Sequence, residues 1–254
     1  MANTVFANKI IEAKAQDLLT TAVNTRSLMA VDNSLAAEAG MTKTINVYTY
    51  TGEAEELAVG EGNTTRGSVA FKGTDYTVKM VQQAFDYADE DFMKDHNVVD
   101  MGVKGATQLM TNKMAADFFA EAAKASLSQE GEISYDTIVD AIAKMNVEDE
   151  SGLYIVVSPA DKAAIRKDPD YVAARMGEVV YNGQVGTVAG IPVIVSKACE
   201  QAFVAHKDAI KLFMKKDVEV EQERDADTRT NSIYLRAAYI CALVDATKIV
   251  KIGA

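Results

Sequence analysis

The densest collection of possible metal ligands in the chain is Asp89-Glu90-Asp91, Asp95 and His96. Metal hydrolysis of the HExxH kind needs ligands one helical turn apart on one face, and no such spacing joins this run to the other histidine, His206. The first three acids have a simpler reading, since they stand where a helix begins and its dipole favours negative charge. Asp225-Ala-Asp227-Thr-Arg-Thr-Asn231 opens like a calcium loop, but it lacks the central glycine and places Arg236 where a bidentate glutamate belongs.

Covalent chemistry fares no better. There is no GxSxG elbow, and Ser158-Pro-Ala-Asp-Lys162 puts its lysine one residue too far for SxxK. Cys199 is near His206 in sequence, yet nothing orients the histidine as a base. The stretch from Leu57 to Phe71 carries three glycines, two threonines and Arg66, but it has neither the lysine of a Walker loop nor the third glycine of a dinucleotide fingerprint. Tyr48, Tyr50, Phe71 and Tyr76 could stack bases, but basic neighbours are missing, so aromatic strand packing accounts for them. The expectation is therefore no catalytic residue, no metal and no cofactor.

Composition points the same way. The 254 residues are 48% hydrophobic and 25% charged, enough apolar material for a sizeable core. Against 26 Lys and Arg stand 37 Asp and Glu, a net charge of -11 that disfavours tight wrapping of nucleic acid. Two cysteines without CxxC spacing imply a reducing compartment and core positions. No signal-like segment and no long apolar run is present, so neither a secretory leader nor a membrane span is expected.

The elements that would position any site follow from periodicity. From Phe6 to about Ala30 apolar residues recur at helical spacing, an amphipathic arm that needs a surface to lie on. Thr44 to Tyr50 alternates as a strand, with a partner running from Ser68 through Val81, and between them lies an acidic tip holding Glu53, Glu55, Glu56, Glu61 and Arg66. A tip of roughly 18 residues is far beyond the usual two to five and implies a function. An isolated two-stranded ribbon is barely stable in water, so it should rest on another surface, which could be another subunit.

A single long helix is expected from Asp89 to about Ala125, a rod of about 50 Å with Val99, Val103, Ala106, Met110, Met114 and Phe118 on one face and Gly102 and Gly105 as possible bends. Ser134 begins a short helix, Leu153 to Val157 reads as a buried strand, and Ser158-Pro159 and Asp168-Pro169-Asp170 each start a helix. An Asn182-Gly183 turn and the run Val185 to Ser196 complete a compact α/β unit, and the last forty or so residues return to strands.

In this order the elements resemble the tailed-bacteriophage major capsid protein, an α+β architecture known as the HK97-like fold, over essentially the whole chain. The most specific local likeness is Val185-Gly-Thr-Val-Ala-Gly-Ile-Pro-Val-Ile-Val-Ser196, similar to the family's G-x-x-x-G-[IV]-P-V strand. Val156-Val-Ser-Pro-Ala-Asp161 and Glu219-x-x-x-Glu223-Arg224-Asp225, followed by a long apolar strand and Lys248-Ile-Val, support it.

The resemblance implies an N-terminal arm (1–40), an extended E-loop hairpin (41–88), a spine helix in a peripheral domain (89–125), an axial A-domain (126–210), and C-terminal strands (211–254) completing the peripheral and axial sheets. It places Glu53, Glu55, Glu56, Glu61 and Arg66 at a subunit interface over a neighbour. It implies a homo-oligomer of pentamers and hexamers in an icosahedral shell, a separate scaffolding protein and a portal, and packaged double-stranded DNA contacted weakly and without sequence specificity. The location implied is the virion, assembled in the bacterial cytoplasm. No lysine lies between Thr51 and Phe71, so the crosslink some members form from the E-loop is not expected. Encapsulins, which enclose cargo enzymes within the same fold, are the alternative, and a metal-dependent enzyme built on Asp91 and His96 is a third reading.

Overall fold

The computed structural model describes residues 11, 25–37, 39–174 and 186–253. Most of the expected arm and the Asn182-Gly183 turn lie outside them. After a short strand β1 (Ala30–Asp32), β2 (Thr42–Thr51) and β3 (Ser68–Thr77) form a two-stranded hairpin. Next come β4 (Lys79–Ala88) and two helices, α1 (Asp89–Lys94) and α2 (Val98–Ala122). An α/β segment follows: β5 (Leu127–Gln129), α3 (Tyr135–Met145), β6 (Leu153–Val157), α4 (Pro159–Lys167), α5 (Pro169–Ala174), β7 (Thr187–Val188), β8 (Ile191–Val195) and β9 (Phe203–His206). The chain ends in two long strands, β10 (Ile210–Asp225) and β11 (Thr230–Leu243), and a short β12 (Ile249–Ile252).

These strands make two sheets besides the hairpin. One has the order β1-β10-β11-β4 and the other β5-β12-β9-β6-β8-β7. The C-terminal strands are therefore divided, with β10 and β11 in the first sheet and β12 in the second, where it runs parallel to β5 and antiparallel to β9. The buried face of α2, from Val99 to Phe118, packs with Leu212, Ile233, Leu235 and Tyr239 of the first sheet and Phe203 of the second in one apolar core. A second core joins α3, α4 and the six-stranded sheet through Ile138, Ile155, Ile165, Val204 and Val250.

Local chemistry explains several boundaries. Ser158 caps α4 by accepting from the Asp161 N–H while its own N–H donates to the Asp161 carboxylate, and Pro159 takes the first helical position, where no N–H is required. Ser134 caps α3 through a matching reciprocal pair with Thr137.

Two expectations need correction. The partner strand expected from Ser68 through Val81 is two strands, divided at Val78, whose N–H donates to Met41 O at 2.7 Å. The Val78 side chain is buried with Leu35, Ile45, Phe213, Ala238 and Ile240, and this anchor turns the chain out of the hairpin and into the first sheet. The long helix is likewise broken. Asp95 adopts an extended backbone, its carboxylate accepts from the Asn97 N–H at 2.9 Å, and this local bond competes with helix continuation. What remains, α2, has 25 residues and spans about 37 Å. At Gly102 a Cβ would meet the Phe85 ring, so the glycine lets β4 pack against the helix.

Candidate functional site: an unsupported apolar ribbon

The hairpin register sets its two faces. Tyr48 pairs with Phe71 and Tyr50 with Val69, and because side chains alternate across a strand these four project from the same face. Tyr48 and Phe71 have ring centroids 6.1 Å apart. All four are about two-thirds exposed: 66% and 67% for the tyrosines, 64% for Val69 and 70% for Phe71. Scattered apolar residues on a surface are ordinary, but a contiguous apolar face rimmed by polar groups marks an interaction site. Tyr76, grouped with them in sequence, pairs with Lys43 on the opposite face, and its hydroxyl donates to Leu243 O at 3.2 Å in the body.

The tip from 52 to 67 is shaped from within. Glu55 accepts from the N–H and hydroxyl of Thr64 at 2.7 and 2.8 Å, from the Thr65 N–H at 2.8 Å, and from the Thr65 hydroxyl. These bonds, led by that of the Thr65 hydroxyl, favour the ionised form and hold its carboxyl down at about 2. The Tyr50 ring folds back over the neck of the tip, where a Cβ on Gly67 would lie 2.2 Å from its hydroxyl. The glycine is thus required by a close approach of the aromatic ring.

Of the five tip residues singled out by sequence, Glu53, Glu56, Glu61 and Arg66 are exposed, while Glu55 is partly covered and spent on internal bonds. Among the described residues Arg66 forms no ion pair. The site also includes residues the sequence reading passed over. On the solvent side of α2, Met101 is 66% and Leu109 is 54% exposed, and Ala116, Ala120 and Ala123 continue the same face at steps of three and four. Beside them a groove of about 350 Å³ is bordered by Ala116, Phe119, Ala120, Ala198 and Phe203. The signal was present: the helix carries apolar residues on both faces, and only the inward set was read.

The candidate metal ligands are dispersed among structural roles. Asp89 accepts from Arg224 at 2.6 Å and Asn231 at 2.7 Å, which holds its carboxyl below the usual range and ties α1 to the end of the β10–β11 hairpin. Glu90 pairs with Arg229, Asp91 with Lys94, and the His96 ring lies 4.7 Å from that of Phe92. Among the described residues no three His, Cys, Asp or Glu side chains are grouped to hold a metal. Cys199 donates to Gln201 O, and burial pushes its thiol up to about 12, whereas His206 bonds Ser151 O and the Asp208 N–H. The Asp225 carboxylate accepts from Asp227 N–H and Thr228 hydroxyl and so closes a turn. Among the described residues no helix is long and apolar enough to cross a membrane.

A protruding hairpin, a long helix against a four-stranded sheet and an α/β unit with a divided C-terminus together make the HK97-like capsid fold. The capsid of cyanophage P-SCSP1u superposes with a TM-score of 0.70 at 13% identity, covering 89% of this chain and 86% of that one. A virus-like particle from Pyrococcus furiosus gives 0.67 at 10% identity, covering 96% and 98%. The family described as phage capsid protein matches residues 71–252, and the chain belongs to it. The major capsid protein of Staphylococcus phage phiMR11 is 26% identical over 234 residues, 89% of this chain and 85% of that protein.

Proposed function

We propose that the chain is the repeating subunit of a tailed-phage head, joined to its neighbours by the apolar face of the hairpin. The observation that carries this reading is the exposed patch of Tyr48, Tyr50, Val69 and Phe71. A soluble monomer gains nothing by holding that much apolar surface in water, and burying it at about 25 cal/mol per Å² favours association. The hairpin and the outer face of α2 are different surfaces of one chain. A contact between them in neighbouring copies is heterologous, and such contacts close into rings and shells when the rotation permits.

In this reading Glu53, Glu56, Glu61 and Arg66 form the polar rim of the contact and set register with basic groups of the neighbour, while Glu55 fixes the shape of the tip. The arm (1–40), spine (89–125), axial unit (126–210) and C-terminal strands (211–254) are taken as proposed, while the E-loop hairpin is drawn in from 41–88 to end at Thr77, since β4 belongs to the four-stranded sheet. The subunits form pentamers and hexamers, guided by a separate scaffolding protein and completed by a portal, in the host cytoplasm. The net charge of -11 suits DNA that is enclosed without being gripped. No catalytic role is assigned, in keeping with a structural family.

The test is the protein expressed alone and examined by size-exclusion chromatography with light scattering and negative-stain electron microscopy. Capsomers or uniform shells are expected, and deletion of residues 53–66 should abolish them while leaving a folded monomer. Normal shells from that deletion refute the tip's part in the interface, and normal shells after Tyr48 and Phe71 are both replaced by serine refute the apolar face. An encapsulin-type, cargo-enclosing shell is the alternative, distinguished by an enzyme that co-purifies inside.

A further inference from the structure

The far end of the hairpin carries an apolar point. The Glu61 N–H donates to Ala58 O at 3.1 Å and Gly60 takes a φ of 91°, a tight turn that sets Val59 at its corner with the side chain fully exposed. Leu57 beside it is 45% exposed. Glu53, Glu56 and Glu61 stand around this point, and Arg66 is the one cation between Gly52 and Gly67.

The tip is remote from its own root. Ten residue pairs in unbroken register separate Thr42 and Thr77 from Thr51 and Ser68, about 30 Å at the rise of a strand. The root is fixed at the C-terminal end of α2, where Tyr76 lies within electrostatic reach of Glu121 and Lys124. The groove bordered by Ala116, Ala120 and Ala123 is at that same end of the helix. A tip about 30 Å from the root does not fill the groove of its own chain, and the tip of another copy is free to do so.

Groove and tip match in character. The groove is lined chiefly by alanines, with Phe119 and Phe203, an apolar wall that an exposed valine gains by covering. Among the described residues its charged lining is Lys251 and Glu200. The Lys251 ammonium donates to Ala123 O at 3.2 Å, whereas Glu200 is exposed and forms no ion pair among the described residues. The groove's one anion thus answers the tip's one cation, and Lys251 answers the tip acids.

We infer that the tip of one copy seats in the groove of the next, with Val59 against the alanines of α2 and Arg66 paired with Glu200. Each contact then runs from tip to root and repeats head to tail, as a closing ring requires. The inference rests on the shell-subunit reading and adds where the hairpin ends and what fixes its register.

Reversing both charges tests it. Arg66→Glu and Glu200→Arg should each lower the yield of capsomers or shells by about tenfold, the least expected of a like-charge contact, and the two together should return most of the wild-type yield. A second measurement joins the Val59→Cys, Ala120→Cys double variant with a short bismaleimide. A ladder of covalent oligomers is expected on a denaturing gel, since the native Cys199 and Cys241 are buried. Absence of the ladder overturns the inference, as does a folded double-reversal variant that assembles no better than the single ones. If either occurs while serine at Tyr48 and Phe71 still abolishes shells, the hairpin contact stands and its seat is elsewhere. A wild-type chain that stays monomeric removes both readings.

Discussion

In β6 all five side chains, Leu153 to Val157, are buried, whereas in β2 and β3, ten residues each, Ile45 alone is. Both regions use β-branched and aromatic residues, so composition does not separate them. What separates them is whether the partner surface lies within the same chain. The strand β6 is covered by α3 and α4 in the second core, while among the described residues the outer hairpin leaves Tyr48, Tyr50, Val69 and Phe71 about two-thirds exposed. The same residue types therefore stabilise the fold in one place and, under the proposed interface, serve association in the other, and the two roles should respond oppositely to mutation.

The sharpest test of that contrast pairs a core residue with the ribbon. Phe118 is fully buried and its ring meets Phe119 and Phe203, so Phe118→Ala should cost about 3–5 kcal/mol in chemical denaturation of the monomer. Replacing Tyr48 and Phe71 together by serine should leave monomer stability within about 0.5 kcal/mol yet abolish shells. A large stability loss in the double variant breaks the distinction. Next in size, Gly102→Ala forces a methyl group against the Phe85 ring and should cost about 1–3 kcal/mol, whereas Gly67→Ala displaces Tyr50 and should spare monomer stability while lowering the yield of shells. Ser158→Ala removes the cap of α4 and should cost about 1 kcal/mol, read from the thermal midpoint.

The smallest effect is a titration confined to the tip. Because the Glu55 carboxyl is depressed from 4.5 to about 2, the stabilisation it gives the tip is fully present above 4.5 and is lost as pH falls through about 2. Carbon-13 shifts of the Glu55 carboxyl, with the amide shifts of Thr64 and Thr65, should follow that single transition. A midpoint near 4.5 means the four bonds do not hold in solution.

Much of this was legible in the sequence because it is local. The alternation of Thr44 to Tyr50, the Ser158-Pro159 start and the apolar run of β6 each depend on neighbours a few residues away, and so does the overlong acidic tip between the two hairpin strands. The break at Asp95 was not, since a helix-compatible pattern runs through it and a single side-chain bond decides against continuation. Of the proposed docking face, the tip acids stand out in the sequence, but the apolar patch depends on the pairing of Tyr48 with Phe71, 23 residues away.

By itself the sequence determined the caps, the strand and helix periodicities, the acidic balance and the order of elements, because these follow from backbone sterics and residue type. Tertiary structure alone decided that Val78 turns the chain between sheets, that β12 leaves β10 and β11 to join β5, and that Asp117 of α2 is buried against the Tyr239 hydroxyl of β11. Each of these depends on which distant surfaces exclude water together, and chain spacing carries no record of that.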